Sequence, residues 1–191
     1  MPPTTDSSSS LSCLPHPPAA SPPWPKRITL TGFMGCGKTT LGKKLAKRLG
    51  YTFIDTDQLI EHQQGAKTSD LFSIHGEAYF RTLEQQALAE VLQRDRCVIA
   101  TGGGALARQP NLQWALEQST VVYLELPFEE LLERVLFSPK DRPLVDVKDP
   151  ETVVHQLFQS RLPFYQQAHI TLCTYKLSPH ESIAKLIQAL A

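Results

Sequence analysis

The sequence predicts an α/β fold in which parallel strands form one sheet covered by helices on both faces. Three observations predict it. Short apolar runs rich in β-branched residues recur five times, stretches with apolar residues three and four apart stand between them, and the first strand runs into a glycine-rich junction. Strands alternating with helices need crossover connections, which lay helices on both faces of a parallel sheet.

The first 25 residues stand apart from this pattern. Eight of the chain's 15 prolines fall there, with six serines and no Lys or Arg. Such a stretch neither buries apolar surface nor builds backbone ladders, so residues 1–25 are expected to be a disordered tail and residues 26–191 the folded domain. The tail lacks the basic start and apolar centre of a secretory signal and is not Arg-rich. Its Ser and Thr content and its shortage of acids leave an organelle transit sequence as the alternative to a plain extension.

From Lys26 the elements follow in order. Arg27 to Phe33 (RITLTGF) reads as a strand, and Leu41, Leu45 and Leu49 mark the helix behind it. Tyr51 to Ile54 gives the second strand, and Gln58 to Gln63 a possible short helix. A helix over Ala78 to Gln93 follows, with Phe80, Leu83, Ala87, Leu88 and Leu92 as its buried stripe. Cys97 to Thr101 is the third strand, Asn111 to Glu117 a helix, Thr120 to Leu126 the fourth strand and Glu129 to Phe137 a further helix. Ser138 to Asp149 (SPKDRPLVDVKD) is charged, contains prolines and has the length of a lid. Glu151 to Gln167, Ile170 to Thr174 and Pro179 to Leu190 complete the alternation as helix, fifth strand and helix.

Composition bounds what this domain does. Of 191 residues, 41% are hydrophobic, enough for a packed core. Nineteen basic residues balance nineteen acidic ones, so no global field attracts nucleic acid or an anionic membrane. No run approaches the roughly 18 apolar residues of a membrane span. Cys13, Cys36, Cys97 and Cys173 are scattered without metal-ligand spacing, which suits free thiols in a reducing compartment.

The first strand ends in Gly32-Phe33-Met34-Gly35-Cys36-Gly37-Lys38-Thr39, which satisfies GxxxxGK[ST] at every position and has a strand before it and a helix after it. Its glycines let successive N–H groups turn inward on phosphate oxygens at the positive end of the helix. Gly35, Cys36, Gly37, Lys38, Thr39 and Thr40 are therefore the candidate phosphate contacts. Lys38 is suited to the β- and γ-phosphates and Thr39 to Mg²⁺, with a nucleoside triphosphate as the expected ligand.

Four weaker signals follow. Asp55 and Asp57 stand two apart at the end of the second strand, open to two readings: acids facing a metal and an acceptor hydroxyl, or Asp57 as a helix cap. Arg81 and Glu84 are three apart on a helix, where an isolated pair is usually a solvated contact. Gly102, Gly103 and Gly104 spend backbone entropy without supplying packing, so something must approach their main chain closely. Arg142, in the lid stretch, is a candidate to stabilise transferring phosphate.

Together GxxGxGKT, DxD, FRxxE, GGG and RPL, in this order, resemble the shikimate kinase family over residues 26–191. The resemblance implies a three-layer P-loop kinase fold, nucleoside monophosphate kinase-like, with a five-stranded parallel sheet. It implies a small monomer that uses ATP and Mg²⁺ to phosphorylate the 3-hydroxyl of shikimate. It assigns catalysis to Lys38, Asp57 and Arg142, the Mg²⁺ shell to Thr39 and Asp55, and the acid's carboxylate to Arg81, with Glu84 orienting that region. Gly102, Gly103 and Gly104 would let the ring approach the backbone. Arg161, in the R-x-P-x-Y motif Arg161 to Tyr165, would be the second carboxylate clamp, a task suited to the planar guanidinium. Pro179 would line the adenine side. One departure concerns the adenine-stacking arginine of many relatives, whose place is taken here by Val135, with Arg134 one residue earlier. Another small-molecule kinase, or an ATP-binding chain without activity, are the competing readings. The expected compartment is the cytoplasm, or a plastid if the tail is a transit sequence.

Overall fold

A computed structural model describes residues 24–137 and 149–191. The expected tail over 1–25, except Trp24 and Pro25, and the expected lid over 138–149 with Arg142, except Asp149, lie outside the described residues.

Five strands form one wholly parallel sheet in the order β2-β3-β1-β4-β5. They are β1 (Arg27–Thr31), β2 (Thr52–Asp55), β3 (Cys97–Ala100), β4 (Thr120–Glu125) and β5 (Ile170–Cys173). The helices are α1 (Lys38–Leu49), α2 (Thr56–Gln64), α3 (Thr68–Val91), α4 (Asn111–Gln118), α5 (Phe128–Leu136), α6 (Pro150–Tyr165) and α7 (Pro179–Leu190). The sheet's alternation supplies both hydrophobic faces. Ile28, Leu30, Val98, Val122 and Leu124 pack into one core with residues of α1, α5, α6 and α7, while Cys97, Ile99 and Val121 face a second core with Leu88, Val91 and Leu112. Trp24 packs against the first core, and its carbonyl accepts from the Tyr51 hydroxyl at 3.4 Å.

Central β1 is flanked by β3 and β4, so the loops after β1 and β3 emerge side by side at the carboxyl edge. In register, Leu30 lies opposite Ala100, and Thr101 N donates to Leu30 O at 3.2 Å just beyond the last pair. Topology alone thus sets the phosphate loop against the triple glycine.

Strand ends fall one or two residues earlier than expected at β1, β3, β4 and β5, because the glycine and turn residues beyond them leave the ladder. At β2 the difference matters. The strand runs to Asp55 and the helix begins at Thr56, so Asp55 and Asp57 are not alternate residues of one strand. Asp55, not Asp57, is the cap: its Oδ1 accepts from Asp57 N and Gln58 N at 3.2 and 3.4 Å. The helix expected from Ala78 begins earlier, at Thr68, and is interrupted at Gly76 (φ 80°). The expected stripe of Phe80, Leu83, Ala87, Leu88 and Leu92 is buried throughout.

Candidate functional site

A cleft of about 800 Å³ opens at the carboxyl edge of the sheet, and three stretches of chain build it. The first is the loop from β1 to α1. Gly37, at φ 96°, adopts a backbone that side-chain-bearing residues rarely enter, and it delivers the chain into α1 with no side chain capping the helix start. The first turn of α1 carries no acid and its last turn carries Lys47 and Arg48, so its free N–H groups present an uncompensated positive end. Lys38 is nearly buried, and its Nζ donates to the carbonyls of Gly32 and Phe33 at 2.7 and 3.0 Å. Gly35, Gly37, Lys38, Thr39 and Thr40 line the cleft. Cys36 does not: its side chain belongs to the core, with Sγ 3.5 Å from Lys38 Nζ.

The second stretch is the junction of β2 and α2. Asp55 is fully engaged, since its Oδ1 caps α2 and its Oδ2 accepts from Thr39 Oγ1 at 2.8 Å. Asp57, the second residue of α2, has a shielded Oδ1 with no hydrogen-bond partner among the described residues. Burial pushes its carboxyl up to about 7, the negative charges of Asp55 and Glu84 add to the rise, and Lys38 opposes it. The unpartnered Oδ1 lies against Gly102, and a carboxyl that titrates near 7 in the wall of the cleft is suited to general-base work.

The third stretch is the loop Gly102–Gly104 after β3, where two arginines arrive from different helices. A Cβ built on Gly104 would lie 2.7 Å from Arg81 Nη1 and 3.1 Å from Arg161 Nη2, so the two guanidinium groups converge on this backbone. One built on Gly102 would lie 2.6 Å from Asp57 Oδ1 and 3.0 Å from Glu84 Oε1. One on Gly103 would meet Met34 N of the phosphate loop at 3.4 Å and Arg161 Nη1 at 3.5 Å. The glycine loop is therefore the floor shared by all three groups, and side chains there would fill the cleft.

The two cations are balanced unequally. Arg81 pairs with buried Glu84 at 2.6 Å and with Glu77 at 2.9 Å. Burial opposes its charge, but these carboxylates more than restore it. Burial raises the Glu84 carboxyl, and Arg81 works against that rise. Arg161 is only 6% exposed, and among the described residues no carboxylate pairs with it. Burial and its like-charged neighbour Arg81 push its proton affinity down, with Tyr165 opposing. A buried guanidinium without an anion is costly, and a small anion beside Gly104 would relieve that cost.

Arg134 is exposed on α5 and donates to Gly35 O at 3.4 Å, whereas Val135 enters the core. The side chain over the phosphate loop is thus the one from position 134. Pro179 lies apart, exposed as the first residue of α7, and does not line the cleft. The sequence does not signal Glu61, Lys67, Thr68, Ser69 and Phe72, which also line the cleft. The stretch of α3 up to Gly76 shows no apolar period, and Ile74 is exposed. Nor does the sequence signal the Tyr165 hydroxyl, which donates to Gly103 O.

A lysine-bearing glycine loop on the central strand of a parallel sheet handles nucleotide phosphates, and a separate cationic recess across one glycine floor gives a second, smaller ligand its own seat. This two-seat arrangement defines a small-molecule kinase with a phosphate-binding loop. The shikimate kinase family model matches residues 34–191. The shikimate kinase of Thermodesulfovibrio yellowstonii is 38% identical over 163 residues, 85% of this chain and 94% of its own length. That of Synechococcus elongatus is 44% identical over 145 residues, covering 76% and 75% of the two chains. The solved structure of shikimate kinase from Acinetobacter baumannii in complex with shikimate superposes with a TM-score of 0.82 at 39% identity, covering 86% of this chain and 92% of that one. The chain belongs to the shikimate kinase family. Its fold is the three-layer, nucleoside monophosphate kinase-like P-loop fold around a five-stranded parallel sheet.

Proposed function

We propose that this chain transfers the γ-phosphoryl group of ATP to the 3-hydroxyl of shikimate, giving shikimate 3-phosphate and ADP on the route to chorismate and the aromatic amino acids. The observation that carries this reading is the convergence of Arg81 and Arg161 on Gly104, within one cleft with the phosphate loop.

In this reading the phosphate loop and the start of α1 hold the ATP phosphates, and Lys38 exchanges its carbonyl partners for β- and γ-phosphate oxygens. Arg81 and Arg161 hold the acid's carboxylate in fork geometry. Asp57 accepts the hydrogen bond of the attacking hydroxyl and takes its proton as the new O–P bond forms. Glu84 keeps Arg81 aimed at Gly104. Arg142, which lies outside the described residues, adds positive charge over the transferring group, and Arg134 supports the nucleotide side. Positioning and charge neutralisation supply most of the rate in such transfers.

Mg²⁺ fits the hard oxygen pair of Thr39 Oγ1 and Asp55 Oδ2, already 2.8 Å apart, since this ion keeps waters and needs few protein ligands. When bound it would neutralise phosphate charge. The protein acts as a monomer on these two small molecules, in the cytoplasm or, if residues 1–25 are a transit sequence, in a plastid. Among the described residues no helix is long and apolar enough to cross a membrane.

An acceptor panel in an ADP-release assay tests the reading, using the full chain and a version starting at Lys26. Shikimate is expected to be the preferred acceptor for both. Preference for gluconate or a nucleoside monophosphate would overturn the acceptor assignment.

A further inference from the structure

We infer that Tyr165 is a positioning residue for the acid: its hydroxyl ties the Gly102–Gly104 loop to α6 and so holds the Gly104 backbone at working distance from Arg161. The inference rests on the carboxylate clamp proposed above and extends it to a residue that touches no substrate.

The glycine loop has two ties to the helices around it. Gly102 N donates to Thr56 Oγ1 at 3.2 Å, which fixes the start of the loop to α2 beside Asp57. Tyr165 donates its hydroxyl to Gly103 O, which fixes the middle of the loop to α6 beside Arg161. The other carbonyls offer no such anchor, because among the described residues Gly102 O and Gly104 O accept only from Ala105 N and Ala107 N, just beyond the loop. Arg161 and Tyr165 are four residues apart and share a helix face, so one helix carries both the cation and the tether. A displacement of the loop relative to α6 would separate the surfaces that together grip a planar carboxylate.

Packing does not account for the hydroxyl. The Tyr165 ring is 1% exposed and stacks on Tyr123 with centroids 5.4 Å apart and an interplanar angle of 24°. Phenylalanine would satisfy that stack. Burial holds the phenol far above its ordinary range, with Arg161 opposing, so it remains a donor at any working pH.

The test is a double-mutant cycle on the full chain, with the KM values for shikimate and ATP measured separately. Tyr165→Phe is expected to raise KM for shikimate about fivefold, the equivalent of one ordinary hydrogen bond. KM for ATP should change by less than about twofold, with kcat changing less than the shikimate KM. In an Arg161→Ala background the same change should add nothing to the shikimate KM, because the partner being positioned is gone. An equal factor in both backgrounds, equal effects on both substrates, or a lower melting temperature with unchanged KM would each overturn the tether. Failure of the clamp itself has a different signature, an Arg161→Ala variant that binds shikimate like the wild type, and it removes the tether as well. If Tyr165→Phe does not fold, the wild-type chain carrying tyrosine labelled at Cζ provides the readout. Shikimate should shift the Tyr165 resonance and ADP should not, and an unmoved resonance with shikimate bound would overturn the inference.

Discussion

Asp55 and Asp57, two positions apart, have their oxygens spent differently. Asp55 uses one oxygen on the start of α2 and the other on Thr39, while Asp57 keeps Oδ1 shielded and unpartnered. Asp57→Asn should therefore lower kcat by two or more orders of magnitude, roughly what one well-placed base supplies, in steady-state assays. With its carboxyl pushed up to about 7, only about a tenth of the free enzyme has an ionised Asp57 at pH 6. Accordingly, kcat/KM for shikimate should rise about tenfold from pH 6 to a plateau above pH 7. A flat profile would contradict the assignment. The same shift has a stability consequence of fixed sign. The folded state favours the protonated form, so the stability that Asp57 contributes is fully present below the ordinary carboxyl range and is lost as pH rises through about 7. Asp57→Asn should accordingly melt higher than the wild type at pH 8 and equally at pH 4, measured by calorimetry. The residue types at this site were legible from DxD. Their division of labour was implied by the family resemblance and left open by the residues themselves, because the local arrangement depends on the strand ending at Asp55 and not one residue earlier.

At the scale of the element, the glycine loop after β3 acts through what it lacks. A methyl group on Gly104 would press on the tip of Arg81, a flexible end that gives way, and not on backbone. Gly104→Ala should therefore fold with a melting temperature near that of the wild type, yet raise KM for shikimate by an order of magnitude or so, because the clamp and not the core moves. Arg81→Ala should raise the same KM and leave that for ATP near normal, which separates the acid seat from the nucleotide seat. Lys38→Ala acts on the other element, and kcat should fall by a few orders of magnitude. The sequence signalled this loop clearly, since three successive glycines have no packing explanation. The first half of α3 gave no comparable signal. Its apolar residues Leu71, Phe72 and Ile74 follow no helical period, and Gly76 breaks the element before the legible stripe begins at Phe80.

Across the whole molecule, strand order does the assembling. With β1 between β3 and β4, the phosphate loop and the glycine floor are neighbours by topology, and α6 crosses from the other side of the sequence to deliver Arg161. This juxtaposition spans residues 32 to 161, and no local pattern in the chain reports it. The alternation of strand and helix predicted the sheet, while the pairing of Arg81 with Arg161 was implied by the family resemblance alone, and the fold brings the two side chains together at Gly104. The core below the site is separable from it. Leu88→Ala, at a fully buried position in the second hydrophobic cluster, should lower stability by about 2–5 kcal/mol in denaturant titrations and leave both KM values near normal at low temperature. The decisive measurement is the identity of the product, read by phosphorus NMR after incubating the chain with ATP, Mg²⁺ and shikimate. A new phosphate-ester resonance coupled to the proton on C3 of shikimate is expected, growing in step with ADP. ADP that accumulates with inorganic phosphate alone, or an ester at another hydroxyl, would contradict the proposed transfer.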